Sequence, residues 1–225
     1  MPRFLANLPV VAATFAAAVL AASAAVAAPS GDTIPTAAGP VALHAIHHAA
    51  LPAPDLILIT HDHDDHFNVP ILEAVAGKAT IVAPSEVADK MPADLRVKTK
   101  VMANGDTATL DGVAIEAFPM YNTTADRQQF HPKGGGNGYI LTIGDKRIYI
   151  AGDTEETPEM KALTNIDVAF LPMNMPYTMD IQHAAAAVKD FKPKVVYPYH
   201  YHGSDVEAFK TLVGDAAEVR PLQWY

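Results

Sequence analysis

Short, wholly apolar runs recur along the chain, and most are followed by turn-forming or helix-starting residues. Leu56 to Ile59 and Thr80 to Ala83 have the length and composition of strands covered on both faces. Pro70 to Ala76 reads as a short helix with proline in its first turn, and Ser85 starts another. Val113 to Phe118 and Tyr139 to Ile143 read as strands, and Gly144-Asp145-Lys146 joins the latter to Arg147 to Ala151 as a hairpin. Val168 to Leu171 is a further strand. Asp180 caps a helix that runs through Asp190 and is stopped by Pro193. Val195 to Tyr199 is a strand, Ser204 caps a helix to about Val213, and Glu218 to Leu222 is a last strand. Strands separated by helices make a layered α/β protein.

The first 28 residues break this pattern. They hold one charge, Arg3, then an apolar, mostly alanine run from Leu8 to Ala28 with Ala25-Val26-Ala27 at its end. That is the layout of a signal peptide cleaved near Ala27 or Ala28, and it predicts a periplasmic or secreted protein. An uncleaved anchor is the rival reading, but alanine inserts weakly. Residues 29–40 read as a flexible lead-in and 41–225 as one domain. The chain carries a formal charge of −9 with no basic run, which argues against nucleic acid and against stable membrane association after cleavage. It contains no cysteine, so any metal must sit on His, Asp or Glu.

The chemistry concentrates at strand ends. Thr60-His61-Asp62-His63-Asp64-Asp65-His66-Phe67 follows a buried strand directly. His61 and His63 are two apart, so in extended chain their rings point the same way and can reach one ion. Asp65 and His66 come after a turn and can face a second. A solvated turn is the plainer reading, but loops leaving a rigid sheet are where α/β proteins place ligands. Two other apolar strands end in the same kind of group, at Gly152-Asp153-Thr154 and at His200. Imidazole and carboxylate without thiolate suit Zn, Mn, Fe or Ni.

His61-x-His63-x-Asp65-His66, Gly152-Asp153-Thr154 and strand-terminal His200 together resemble the metallo-β-lactamase-fold hydrolases. Asp55 to Thr60, Tyr121-Asn122-Thr123, His131-Pro132-Lys133, Pro158-Glu159-Met160 and Tyr177 to Asp180 are similar to its ascorbate-phosphate-lactonase-like, UPF0173-related branch. The resemblance runs from about Val41 to the C-terminus. It implies a four-layer αββα sandwich with two divalent ions between the sheets, zinc first, with manganese or iron as alternatives. It places His61 and His63 on metal one, Asp65, His66 and His200 on metal two, and Asp153 between them. It also implies hydrolysis of an ester, lactone or phosphoester in a small molecule by a metal-bridged hydroxide, with Asp65 orienting that nucleophile. An exported metal-binding protein that has lost hydrolysis is the alternative.

Two departures stand out. A strand hairpin expected between His48 and Pro52 is missing, which shortens the N-terminal sheet and predicts self-association through its edge. The strand that often supplies metal one's third histidine ends here in Tyr121-Asn122, so His131 is the substitute. Lys133, Asn122 and Tyr177 are the candidate substrate contacts, and His202 a candidate proton donor. His44, His47, His48 and His183 read as packing or surface residues, and Gly134 to Gly136 as a mobile loop.

Overall fold

A computed structural model of the chain describes residues 10–13, 18–21, 31–44 and 54–222. The first sheet contains β1 (Val10–Ala13), β2 (Ala18–Ala21), β3 (Gly31–Thr36), β4 (Gly39–His44), β5 (Leu56–Leu58), β6 (Thr80–Ala83) and β7 (Thr99–Val101), in the order β3-β4-β2-β1-β5-β6-β7. The second contains β8 (Thr107–Leu110), β9 (Val113–Met120), β10 (Gly136–Ile143), β11 (Lys146–Ile150), β12 (Val168–Pro172), β13 (Val195–Tyr199) and β14 (Glu218–Val219), ordered from β14 down to β8. β1, β5, β6 and β7 run parallel, as do β11 to β14.

Alternation of side chains along each strand builds the layers. Leu56 and Leu58 point between the sheets, where they meet Ile115, Tyr139, Ile148 and Ile150. Ile57 and Ile59 point the other way, onto Leu72, Val87 and Leu95 of α1 (Val69–Ala76), α2 (Ser85–Lys90) and α3 (Ala93–Arg96). Tyr149 and Ala151 likewise face α4 (Pro158–Lys161), α5 (Ile181–Phe191) and α6 (Val206–Val213) through Met160, Val188 and Phe209. Three apolar clusters between four layers make an αββα sandwich. Among the described residues no helix is long and apolar enough to cross a membrane.

The ends of some elements differ from the sequence reading. Residues 31–36 and 39–44 form a hairpin rather than a loose lead-in, and Ile34 is buried in the inter-sheet core. Asp205, not Ser204, caps α6, because the Ser204 hydroxyl donates to the Met173 carbonyl instead. The last strand is only Glu218–Val219. Gly136 is the first residue of β10, so the glycine run is partly strand.

The segment read as a leader supplies β1 and β2, which stand between β4 and β5. The cleavage signal, His47, His48 and the expected deletion lie outside the described residues. Cleavage near Ala27 would take both strands away and leave β4 and β5 with unpaired edges, which recruit other strands. A 29–225 chain is therefore expected to self-associate more strongly than the 1–225 chain in analytical ultracentrifugation. A dilution-resistant 29–225 monomer would contradict this.

Candidate metal centre

Three strand ends converge at one edge of the sandwich. Beyond β5 the backbone stays pinned: Tyr139 Oη donates to the Ile59 carbonyl at 2.7 Å and Asn137 N to the Thr60 carbonyl at 2.8 Å. β10 comes this close because position 136 is glycine; a Cβ there would lie 3.0 Å from the Thr60 carbonyl oxygen and 3.2 Å from His61 Cβ. Thr60 Oγ1 lies 3.0 Å from His61 Nδ1, which leaves Nε2 to face the centre. The His63 carbonyl accepts from His66 N and Phe67 N at 2.9 and 2.8 Å, and this tight turn swings His66 back under His61. The two rings lie 4.1 Å apart, centroid to centroid.

At the end of β11, Gly152 has φ +70°, and a side chain there would overlap Met120. Only glycine makes this turn cheaply, and the turn delivers Asp153. At the end of β13, His200 itself has φ +46°. A left-handed non-glycine residue costs on the order of 1 kcal/mol, a strain found where a side chain must be aimed. His200 Nε2 lies 3.1 Å from Asp65 Oδ2 and 3.6 Å from Asp153 Oδ2.

His131 joins the same centre from the loop after β9. Its ring centroid is 5.1 Å from that of His61 and 5.0 Å from that of His63, and its Nε2 is 3.7 Å from Asp153 Oδ2. Its Nδ1 donates to the Tyr177 carbonyl at 3.2 Å, so Nε2 is the nitrogen left facing inward. Three groups have ligand atoms within 4.8 Å of one another: His61-His63-His131, His61-His66-Asp153 and Asp65-His66-His200. His131 Nε2 and Asp153 Oδ1 are buried without a hydrogen-bond partner. Such atoms in a His/Asp cluster are what a divalent cation would satisfy.

The charges tell the same story. Burial acts against a charge on His66, but the Asp153 carboxylate and hydrogen bonds with Asp153 and Asp65 outweigh it and push its pKa up to about 10. Burial, helped by the charge of His66, holds His61 well below the usual imidazole range. Burial pushes His131 down to about 4. Hydrogen bonds from His200, then His66, hold Asp65 below the carboxylate range. Burial would raise Asp153, but the His66 charge overrides it and keeps that carboxyl low. Without a metal, His66 thus holds a proton beside two ionised carboxylates, and a metal bound there must displace that proton. Acid favours the proton, so apparent zinc affinity should rise about tenfold per pH unit for this one group, roughly a hundredfold from pH 6 to pH 8. A chelator-competition titration that stays flat over that range would contradict this.

The other expected site residues divide. Asp62 pairs with Lys90, and Asp64 is exposed. Asn122 is fully buried, and its amide donates to the Arg127 and Tyr177 carbonyls. Lys133 is engaged with Glu159 at 2.8 Å and sits over the Tyr121 ring. The exposed Tyr177 ring packs edge-on against Phe130. His202 is exposed and belongs to none of the three ligand groups. His183 is exposed and bonds to the Asp180 cap. Thr60 and Glu155 are not among the expected site residues, and Gly136, expected in a mobile loop, instead packs against Thr60 and His61. Thr60 has a signal, since a ligating imidazole needs its other nitrogen held.

A four-layer αββα sandwich with such a cluster at its strand ends defines a metal-dependent hydrolase of the metallo-β-lactamase fold. Residues 26–200 match the model of the β-lactamase superfamily domain. A UPF0173 metal-dependent hydrolase of Pyrococcus abyssi is 36% identical over 178 residues, covering 75% of this chain and 78% of that protein. One from Thermococcus kodakarensis is 39% identical over 179 residues, covering 75% and 79%. A crystal structure from Parabacteroides distasonis, described as that of a candidate metal-dependent hydrolase, superposes with TM-score 0.80 at 38% identity, covering 87% of this chain and 99% of the other. The chain belongs to the β-lactamase superfamily and, within it, to the UPF0173 metal-dependent hydrolases.

Proposed function

We propose that the protein hydrolyses an ester, lactone or phosphoester bond of a small molecule with the help of two divalent ions, zinc first among them. The observation that carries this reading is the overlap of the three ligand groups: the middle one, with Asp153, shares a histidine with each outer one. Asp153 Oδ2 lies 3.4, 3.7 and 3.6 Å from Nε2 of His66, His131 and His200, as a group between two ion positions would. His61, His63 and His131 would hold one ion, Asp65, His66 and His200 the other.

When bound, paired divalent ions supply Lewis-acid polarisation and lower the pKa of water toward neutrality. The protein's part is aim and proton traffic. Thr60 Oγ1 and the Tyr177 carbonyl fix the His61 and His131 rings. Asp65 engages His66 and His200 through Oδ2, which leaves Oδ1 to take the proton of the attacking water and pass it to the leaving group. His202, exposed on the turn after His200, is a second candidate for that proton. No serine or cysteine nucleophile is required.

The test is turnover of a nitrophenyl ester, a lactone and bis-nitrophenyl phosphate by protein loaded with zinc or manganese. Hydrolysis of at least one, abolished by chelation and restored by metal, is expected. Metal-loaded protein inert toward all three would favour a metal-binding protein without turnover. The apolar leader, with Arg3 as its one charge, supports export to the periplasm with cleavage near Ala27 or Ala28, which intact-mass measurement from a Gram-negative host would test. A full-length mass in the membrane fraction would favour an anchor.

A further inference from the structure

We propose that Glu155 is the positioning residue for His131, and thereby sets the third ligand of one ion position separately from the other. It rests on the reading above that His131 belongs to the centre. Glu155 follows Asp153 by two residues, and only 4% of its surface is exposed. Among the described residues its carboxylate makes no hydrogen bond or ion pair with the histidines or aspartates of the metal centre. It accepts instead from Thr123 N at 2.7 Å, Thr123 Oγ1 at 2.8 Å, Thr124 N at 2.6 Å and Thr124 Oγ1 at 2.8 Å. The Arg127 guanidinium pairs with it at 2.8 Å. Five donors on one buried carboxylate tie the start of the 122–131 loop to the strand end that delivers Asp153.

From that anchor the bonds lead to His131. Arg127 Nη1 also donates to the Thr178 carbonyl, and the Arg127 carbonyl accepts from Asn122 Nδ2. The same Asn122 amide donates to the Tyr177 carbonyl, which in turn accepts from His131 Nδ1. Asn122 N closes the loop by donating to the His131 carbonyl at 2.8 Å. The ring of His131 is therefore aimed by two loops, 122–131 and 174–178, which Arg127 and Asn122 bridge and Glu155 fastens to the sheet. His66 and His200 are held by a different set, the β5 turn and the end of β13. Charge is what the anchor needs: an amide at position 155 would turn an NH2 toward donors and lose the ion pair with Arg127.

The test is Glu155→Gln, read in two ways. In metal-free protein, histidines are modified with diethyl pyrocarbonate and followed site by site with mass spectrometry. His131 should react about tenfold faster than in the parent chain, because its loop opens locally, while His66 and His200 stay within about twofold. In a zinc titration, one binding step should weaken about tenfold or more and the other should hold. Should Glu155→Gln fail to fold, Arg127→Leu is read against the same pattern. All three histidines accelerating together, or none of them, overturns the proposal, as does equal weakening of both zinc steps. A parent chain that binds fewer than two ions would sink the two-ion reading instead, while the modification pattern still decides the role of Glu155.

Discussion

His131→Ala is expected to lose one of two bound ions and to lower turnover by on the order of a hundredfold or more. The loss should rival that of His61→Ala, although His131 lies far from the main motif in sequence. The reason is geometric: His131 Nε2 is buried, faces Asp153 at 3.7 Å, and has its other nitrogen committed to the Tyr177 carbonyl. No other histidine is grouped with His61 and His63 among the described residues. Removal of the ring leaves that pair short of a tetrahedral set. Metal analysis and kcat on the same preparation check this, and a variant with two ions and full turnover would refute the assignment.

Asp153→Asn should be more damaging still. Its carboxylate lies within 3.7 Å of three imidazole nitrogens and is the main charge that favours protonated His66. A neutral amide withdraws the anion from both ion positions at once, so zinc content should fall toward zero and turnover by about a thousandfold or more, beyond the effect of a single outer partner. His66 should also titrate lower in the metal-free variant, which histidine NMR would show. Unchanged zinc content would contradict a place for Asp153 between the ions.

Much of this was legible in the sequence because it is local. The four-residue run at Leu56 and the motif after it fix a buried strand with ligands at its end, and Asp180 caps α5 as its spacing predicts, its Oδ1 accepting from His183 N at 2.8 Å. What was not legible is non-local. The donors to Glu155 come from Thr123, Thr124 and Arg127, roughly thirty residues earlier, and no spacing rule connects them. Ser204 looked like the cap because a cap signal does not reveal that Met173 claims the hydroxyl. Residues 31–36 lack a long apolar run, yet burial of Ile34 against the far sheet makes them a strand. Pairing of Val10–Ala13 beside Leu56–Leu58 is equally invisible to an apolar leader pattern, which reads the same for export and for a strand.

The most direct measurement is anomalous diffraction at the zinc edge from crystals of the zinc-loaded chain. Two peaks per chain are expected, one at about 2.0–2.1 Å from nitrogens of His61, His63 and His131, the other beside Asp65, His66 and His200, with Asp153 between them. No peak at these strand ends, or a single peak that leaves His131 uncoordinated, would contradict the account.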